Sequence, residues 1–576
     1  MNIIDVPFSV YGSYMAIAYY NGDESYLKVF KNVQGEGLYL KSVRGKSRGN
    51  SAVCKFVPLV EQKPVDYTYE ADYGKIELTT ASGKIGITFD GDSRIVIKGT
   101  GEKLGLRLDC MPINEYDYNF TLENEIESFH IINSYKTLTK YIVKNVTGTT
   151  KLVQENSETM LGSLASYIDV NADESSEFLI VIEEIPTHMM KPTKKNYSFE
   201  ESAAKTLNDF EEFYAKFPKV RPEYDETNRL AVYVTWSCTV RKEGLLGRDS
   251  VYMSNNHFPG IWSWDHCYNA IGLAGVHDQL AYDQMMILFD HQDEKGQLPG
   301  SVSDSTLRWN FAKPPIHGLF VEKMMEKMEF TPEQLIEVYE GIEKQINFWL
   351  NYKDCDEDGI CEYHHGNDSG YDNSTVFANG FIVESPDLSA FLIKAMDLLA
   401  NVAGKLGRVH EQVQWNRRAA ELTERALAAF VENNQVIARE TLGKKAIYSE
   451  SILPYTLLIL GSRLPEELRS SMIATLKSPK FTTEYGLATE AVDSPFYEPN
   501  GYWRGPIWAP TMVLLIEALE DCGETDFALE LTEKFCKLIK KSGCAENFDA
   551  ITGDGLCDKA HTWTSSSFIY LCEKLA

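Results

Sequence analysis

Two different hydrophobic periods divide the chain. Up to about residue 195, apolar and polar residues alternate in short runs between turn clusters such as 21–23 (Asn-Gly-Asp) and 90–92 (Asp-Gly-Asp). This alternation is typical of β-strands, and many short strands predict an antiparallel β-sandwich over residues 1–195. The runs that stand out are Tyr14–Tyr20, Tyr26–Phe30, Lys75–Thr79, Lys84–Phe89, Arg94–Lys98, Ser128–Ile132, Thr139–Val143 and Glu177–Ile182.

Beyond residue 198 the period becomes helical. The amphipathic segment Phe199–Phe217 ends near two prolines, and we interpret residues 196–222 as a helical linker. In the later segment 409–430, Val413 and Phe430 belong to one predicted apolar stripe. The helical period recurs over residues 223–576 at about 226–240, 264–276, 280–292, 317–328, 332–352, 385–403, 409–430, 451–460, 465–476, 505–522, 524–541 and 562–574.

These helical segments fit a closed toroid of six helical hairpins. An open α-solenoid is the alternative, but no repeat of 30–50 residues supports it. Long loops in a compact domain are usually functional, and the loops of a toroid gather at one mouth, so we expect the functional site there. The long connections are 241–263, 293–316, 353–384 and 477–504.

Composition narrows the range of partners. The formal net charge of −28 makes nucleic acid and anionic membranes unfavourable partners. No apolar run reaches the ~20 residues of a membrane span, and no signal sequence is recognisable. The 11 cysteines form no pair of CxxC motifs, which argues against a zinc site. We therefore expect a reduced, cytoplasmic bacterial protein.

Aromatic residues stand beside a carboxylate in residues 258–266 (Phe-Pro-Gly-Ile-Trp-Ser-Trp-Asp-His). The indoles of Trp262 and Trp264 could cover the apolar face of a sugar ring, while Asp265 accepts hydrogen bonds from two hydroxyls. The alternative is a pair of core tryptophans with Asp265 as a helix cap.

A second aromatic segment, residues 500–508 (Asn-Gly-Tyr-Trp-Arg-Gly-Pro-Ile-Trp), also suits a sugar pocket. Trp503 and Trp508 could form its walls, with Arg504 fixing a carboxylate or a hydroxyl. The dipeptide 505–506 (Gly-Pro) predicts a helix start, because proline is favoured in the first turn. A buried helix start with Arg504 in a structural ion pair is the alternative.

Two acidic segments far apart in the chain supply candidate catalytic groups. They are residues 367–374 (Asn-Asp-Ser-Gly-Tyr-Asp-Asn-Ser) and residues 545–549 (Ala-Glu-Asn-Phe-Asp), followed by 552–555 (Thr-Gly-Asp-Gly). An inverting glycosidase needs one carboxylic acid to protonate the leaving oxygen and a second carboxylate to activate water. If the fold brings these segments together, the chain has both groups.

A third acidic segment, residues 354–359 (Asp-Cys-Asp-Glu-Asp-Gly), looks like the start of a calcium loop. The twelfth position of an EF-hand would be His365, where a bidentate Glu is required. A turn with solvated acids is therefore favoured over a structural Ca²⁺ at Asp354, Asp356 and Asp358. No cofactor is expected to be required.

The motifs occur together in the order typical of glycoside hydrolase family 63. The chain resembles that family over residues 222–576, with relatives that include processing α-glucosidase, bacterial α-glucosidases and mannosylglycerate hydrolase, and more distantly trehalase. The resemblance implies an N-terminal β-sandwich followed by an (α/α)₆-barrel catalytic domain over 223–576. It also implies inverting, exo-acting cleavage of an α-linked sugar, by family weight an α-glucoside, from a small oligosaccharide or glycoside. The matching motifs are 262–265 (Trp-Ser-Trp-Asp), 313–318 (Lys-Pro-Pro-Ile-His-Gly), 368–374 (Asp-Ser-Gly-Tyr-Asp-Asn-Ser), 501–508 (Gly-Tyr-Trp-Arg-Gly-Pro-Ile-Trp), and 546–549 with 552–555.

The resemblance also implies roles by position. Asp372 matches the general acid and Glu546 the general base. Relatives often have Glu where this chain has Asp368, which we place behind the acid rather than in its role. The predicted substrate-binding residues are Trp262, Trp264, Asp265, Trp309, Lys313, His317, Asp368, Gly370, Trp503, Arg504, Gly505, Trp508 and Trp563.

Three other functions remain open at this stage. A disaccharide phosphorylase on the same architecture would use phosphate in place of the base and water, but the Glu at position 546 favours hydrolysis. A non-catalytic carbohydrate-binding protein would not need both carboxylates. An epimerase or lyase on a helical toroid typically uses His or Tyr as base, for which His561 alone is weak support.

Overall fold

A computed structural model describes most of the chain. The described residues are 1–22, 35–45, 52–110, 114–123, 128–135, 137, 139–186, 189, 191–193 and 196–576. Within these ranges, the N-terminal part is built from strands and the remainder mainly from helices. The strands are β1 Met15–Tyr20, β2 Gly37–Ser42, β3 Ala52–Val60, β4 Lys63–Pro64, β5 Thr68–Ala71, β6 Ile76–Thr80, β7 Gly83–Phe89, β8 Arg94–Gly101, β9 Leu104–Cys110, β10 Tyr118–Glu123, β11 Ser128–Ser134, β12 Thr139–Thr147, β13 Thr149–Asn156, β14 Ser163–Asn171 and β15 Glu177–Ile185.

The strands form two antiparallel sheets whose inner faces share one apolar core. One sheet has the order β1-β2-β3-β9-β14-β13, with β4 paired to β3, and the other has the order β10-β11-β12-β15-β8-β7-β6-β5. The predicted β-sandwich is therefore confirmed. The predicted strand Tyr26–Phe30 lies outside the described residues. The predicted runs did not include β2, β3, β4, β5, β9, β10, β13 or β14. In β2 all residues are buried, so the strand shows no alternation of burial.

The linker helix is α1, Phe199–Tyr214, and further helices follow it. Thr331 caps α6 in a capping box with Gln334, as its position before a proline predicts. The described helices of the second part are α2 Asp225–Ser237, α3 Asp265–Leu273, α4 Asp278–Met286, α5 His317–Lys327, α6 Pro332–Tyr352, α7 Pro386–Lys405, α8 Val409–Phe430, a 3₁₀ helix Leu453–Arg463, α9 Glu466–Lys477, α10 Ala509–Asp521, α11 Thr525–Ser542 and α12 Thr562–Glu573.

The helices close into an (α/α)₆ barrel. The inner ring runs α3, α5, α7, the 3₁₀ helix, α10 and α12, and α12 packs back on α3. The outer helices are α4, α6, α8, α9, α11 and α2, of which α6 packs mainly on α7 and reaches α5 through Gln345 and His317. Every residue of α3 and α10 is buried except the last two of α10, Glu520 and Asp521, as an inner position requires. The predicted toroid is therefore confirmed, and the solenoid alternative is wrong.

The helices differ from the predictions in several details; for example, the segment predicted at 280–292 ends at Met286, and the one predicted at 451–460 is a 3₁₀ helix. The helix expected to start at Gly505 starts at Ala509, because Ile507 is extended and exchanges backbone hydrogen bonds with Phe548 at 2.7 and 3.0 Å. In α8, Val413 is 62 % exposed, and the buried face passes through Trp415, Leu422 and Phe430 instead. Among the described residues, no helix combines the length and apolar character that a membrane crossing requires.

Candidate active site

A cavity of about 90 Å³ lies at the mouth of the barrel. Its walls come from the loops that lead into inner helices and from the first residues of α3 and α12. The two acidic segments therefore meet at one site, as the closed toroid predicts. The lining residues are Met253, Phe258, Trp262, Trp264, Asp265, Lys313, Asn367, Gly370, Asp372, Tyr502, Trp503, Glu546, His561 and Trp563.

Asp372 lies at the cavity surface beside a buried lysine. Lys313 Nζ donates to Asp372 Oδ1 at 3.3 Å and to the carbonyl of Asn367 at 2.6 Å. The lysine side chain is nearly buried, whereas that of Asp372 is partly exposed. The ammonium group of a nearly buried lysine is therefore in direct contact with the carboxyl group of the predicted acid.

The turn that carries Asp372 is fixed on both sides. Gly370 has a φ of +79°, and a Cβ there would lie 2.4 Å from the Trp264 ring, so only glycine fits without displacement. Asn373 accepts a hydrogen bond from the Trp503 amide at 2.9 Å and donates to the Gly501 carbonyl at 3.0 Å. Contacts with both aromatic segments thus set the position of the acid.

Glu546 belongs to the last of the sequence motifs, and its side chain is almost completely buried. Its amide donates to the Asp558 carbonyl at 2.7 Å, and the Asp558 amide lies 3.4 Å from Glu546 Oε2. Burial, reinforced by the negative charge of Asp558, raises the pKa of Glu546 to about 8. The indole N–H of Trp563 donates to the Glu546 carbonyl and fixes this segment on α12.

Asp265 is the first residue of α3 and lines the same cavity. Burial raises its pKa to about 7, and the charge of Lys313 works in the opposite direction. Trp264, which precedes it, has a φ of +66°, a conformation that costs energy for a bulky residue and is often found at functional sites. This backbone turn places the indole and the carboxylate side by side in the cavity.

The aromatic wall has two layers. Trp503 lines the cavity and stacks on Trp508 with ring centroids 3.9 Å apart and planes inclined by 7°. Trp508 donates from its indole to the Tyr502 carbonyl at 2.8 Å and meets Trp563 edge-on. Trp508 therefore supports the wall from behind and does not line the cavity.

Some predicted site residues shape the loops instead of lining the cavity. Asp368 accepts hydrogen bonds from the amides of Ala312 at 3.2 Å and His364 at 3.0 Å, which fits its predicted place behind the acid. Arg504 pairs with Glu498 at 2.9 Å, the structural ion pair that was the alternative for it.

Three further predicted residues also lie outside the lining. His317 is fully buried at the start of α5, where Gln345 Nε2 lies 3.0 Å from its Nδ1. Trp309 is 39 % exposed. Gly505 has a φ of +144°, and a Cβ there would lie 2.5 Å from a backbone oxygen, so its role is steric.

The sequence predictions missed five lining residues. Phe258, Asn367 and Tyr502 lie inside motifs that were recognised, but nothing in the sequence marked them as facing the cavity. Tyr502 reaches it through a φ of +64°. His561 was considered only as weak support for an epimerase or lyase; burial lowers its pKa to about 4, so it is neutral at ordinary pH. Met253 carried no signal.

The calcium-like segment is occupied by a protein cation. The ammonium of Lys444 contacts Asp356, Asp358 and Glu384, and Arg439 contacts Asp358 and Glu384. Asp354 instead accepts hydrogen bonds from the amides of Asp358 and Gly359. The acids of this turn are thus already compensated by basic side chains and amides.

Fold and cavity together define a carbohydrate-cleaving enzyme class: an (α/α)₆ barrel with carboxylates and tryptophans around one small cavity. The sequence model of the mannosylglycerate hydrolase MGH1-like glycoside hydrolase domain matches residues 258–564, just over half of the chain. The chain belongs to this family and is a glycoside hydrolase.

Individual relatives agree with this assignment. Glucosylglycerate hydrolase from Mycolicibacterium hassiacum is 22 % identical over 54 % of this chain and 91 % of its own length. The crystal structure of mannosylglycerate hydrolase from Thermus thermophilus in complex with glucose covers 60 % of this chain and 99 % of its own, with a TM-score of 0.53 and 19 % identity.

A third similarity extends over both domains. A bacterial glucoamylase complexed with acarbose covers 99 % of this chain and 93 % of its own, with a TM-score of 0.63 and 11 % identity. At that identity the likeness concerns the fold alone. It shows that the β-sandwich followed by the barrel occurs as one architecture.

Proposed function

We propose that the protein is an inverting, exo-acting glycoside hydrolase that removes an α-linked sugar, an α-glucose in the first instance, from a small glycoside. The observation that carries this proposal is the meeting of Asp372 and Glu546 in one tryptophan-walled cavity. The small volume suits a single sugar ring with its aglycone towards the mouth. Relatives named for glucosylglycerate and mannosylglycerate support a small glycoside as substrate.

In this mechanism Asp372 protonates the glycosidic oxygen, and Glu546 takes a proton from a water molecule on the opposite face of the ring. Asp265 accepts hydrogen bonds from sugar hydroxyls, and Trp264 and Trp503 cover the apolar ring face. Inversion requires room for that water between the two carboxyl groups, which a retaining enzyme lacks.

The charges of the site impose a condition on this mechanism. Lys313 Nζ lies 3.3 Å from Asp372 Oδ1, and burial favours the protonated form of Glu546. A general base must be ionised, so Glu546 has to release its proton before it can activate the water.

Activated substrates distinguish the acid from the base. A good leaving group such as fluoride needs no protonation, so Asp372→Asn should lose about 10²–10⁴-fold on an unactivated glycoside but little on the glycosyl fluoride. Glu546→Gln should lose activity on both, because the water still requires a base. Circular dichroism of both variants checks that they are folded. The opposite pattern would exchange the two roles.

Product analysis tests reaction and stereochemistry. The substrates are glucosylglycerate, mannosylglycerate, aryl α-glucosides and α-linked disaccharides, with the first-formed anomer followed by ¹H NMR. Release of the β-anomer from an α-glucoside supports inversion, and release of the α-anomer refutes it. Sugar phosphate formed only in the presence of phosphate would instead show a phosphorylase.

A further inference from the structure

The β-sandwich is packed against the loops that form the cavity. Tyr14 and Val43 share an apolar cluster with Tyr252 and Met253, and Met253 also lines the cavity. Arg44 joins the two parts through contacts with Glu184 of the sandwich and Glu243 of the barrel, each at 2.9 Å. The family model starts at residue 258, so the sandwich lies outside the part that defines the family. Its contribution to the site needs a separate explanation.

One buried side chain of the sandwich reaches into the barrel. Lys41 of β2 is 0 % exposed, and its Nζ donates to the carbonyl of Asn255 at 3.0 Å. Burial lowers the pKa of Lys41 to about 8, and the negative charge of Asp558 works against this shift. Lys41 therefore has two interactions with the barrel: a hydrogen bond to Asn255 and an electrostatic attraction to Asp558.

The turn that Lys41 holds is itself bonded to Asp558. The His257 amide donates to Asp558 Oδ2 at 3.0 Å, and the hydroxyl of Ser254 donates to the same carboxylate. Asn256 Nδ2 donates to the carbonyl of Asp5 in the N-terminal part at 2.9 Å and lies 3.4 Å from Asp558 Oδ1. The turn 254–257 is thus fixed to the sandwich on one side and to Asp558 on the other.

Asp558 completes the connection to Glu546. The Glu546 amide donates to the Asp558 carbonyl, the Asp558 amide lies 3.4 Å from Glu546 Oε2, and both residues are buried. Two buried carboxylates side by side destabilise each other when ionised, unless positive charge or hydrogen bonds compensate them. Burial works to raise the pKa of Asp558, but the imidazoles of His257 and His561, when they are protonated, and the hydrogen bonds from the Ser254 hydroxyl and the Ala560 amide lower it overall.

We propose that the β-sandwich is part of the catalytic apparatus and that Lys41 is the positioning residue through which it acts. Lys41 holds the turn 254–257 against Asp558 and supplies buried positive charge behind the Asp558–Glu546 pair. This inference rests on the proposed role of Glu546 as general base. Asp265, Asp372, Tyr502 and Cys557 face Glu546 as well, and the protonated thiol of Cys238 lies near Lys41.

Lys41→Met tests the proposal, because it keeps the length of the side chain and removes charge and donor together. A base must be ionised, so activity rises with pH through its pKa. Without the charge of Lys41 the ionised base is less stable, and the acidic limb of kcat/KM should move to higher pH by ~0.5 unit or more. We expect kcat to fall about 10-fold or more while KM changes little, because Lys41 is not in the cavity lining.

Three variants accompany this measurement. Lys84→Met, an exposed sandwich lysine paired with Glu77, is the matched control and should leave kcat and the limb unchanged. Lys41→Arg keeps the charge and should return the acidic limb of kcat/KM at least in part to its wild-type pH. Asp558→Asn removes the repelling charge and should move the limb to lower pH, which keeps the test decisive if Lys41→Met does not fold.

The results separate this inference from the proposed function. The proposed function itself is refuted if the wild-type protein hydrolyses none of the glycosides, or if the Glu546→Gln variant is fully active. If Glu546→Gln is inactive while folded Lys41→Met keeps the wild-type kcat and pH profile, only the inference is overturned. If Lys41→Met has a lower melting temperature but an unchanged kcat and pH profile, Lys41 has only a structural role and the inference is likewise overturned.

Discussion

Replacing Gly370 with alanine probes how tightly the acid-bearing turn fits against the cavity wall. The new Cβ would lie 2.4 Å from the Trp264 ring, whereas carbon atoms in ordinary contact are about 3.5–4.0 Å apart. The ring would therefore have to move by about 1 Å. Trp264 has little freedom to do so, because it is 2 % exposed and contacts Tyr371, Trp503 and Trp563.

Two costs contribute to the expected loss of stability. A residue with a Cβ in the left-handed conformation that Gly370 adopts, at φ +79°, costs about 1–2 kcal/mol. Overpacking a buried contact costs about 1–3 kcal/mol more, so the sum is about 2–5 kcal/mol. Displacing a substrate-positioning group by ~1 Å can reduce the rate about 100-fold, and we expect a loss of that order in kcat/KM.

The assays are urea unfolding followed by tryptophan fluorescence and kcat/KM on whichever α-glycoside the wild type hydrolyses. Gly380→Ala is the matched control, because nothing lies within 4 Å of a Cβ at that position and its φ is not in the left-handed range. The control should keep the wild-type midpoint and activity. If Gly370→Ala does the same, the argument from steric fit is refuted.

Two other predictions concern ionisation and metal. The raised pKa of Glu546, about 8, means that its protonated form stabilises the fold at low pH and that this contribution is lost as pH rises from about 4.5 to 8. Glu546→Gln should therefore match the wild type near pH 5 and exceed it by up to about 3 kcal/mol near pH 8.5; an equal difference in melting temperature at both pH values contradicts this. Treatment with EDTA should change neither kcat nor melting temperature, because Lys444 already compensates Asp356 and Asp358; a loss restored by Ca²⁺ would contradict that.

Periodicity was sufficient for the long helices of the outer ring. The bounds predicted for 332–352 and 409–430 agree with α6 and α8, since both helices lie in the outer ring and alternate between buried and exposed faces. It was insufficient where pairing with a distant strand competes with helix formation. The extended conformation of Ile507, for example, depends on its pairing with Phe548, which is distant in sequence.

For the site, the motifs identified the right loops but not the direction of each side chain. Trp503 and Trp508 look equivalent in the sequence, yet only Trp503 lines the cavity and Trp508 stacks behind it. Conversely, Tyr502 lines the cavity because its backbone adopts a left-handed conformation, which no local sequence pattern predicts. Such orientations follow from the packing of several loops against each other.

The sequence by itself determined the two-part architecture, the family and the pair of carboxylates, because periodicity and motif order are properties of the linear chain. Only the tertiary structure decided which groups share a charged environment. Lys313 contacts Asp372, and the Asp558 amide contacts Glu546. Lys41 of the sandwich donates a hydrogen bond to the carbonyl of Asn255, in the turn that is bonded to Asp558. Electrostatic interaction depends on distance and burial in space, and residues far apart in sequence acquire both only when the barrel closes and the sandwich packs against it.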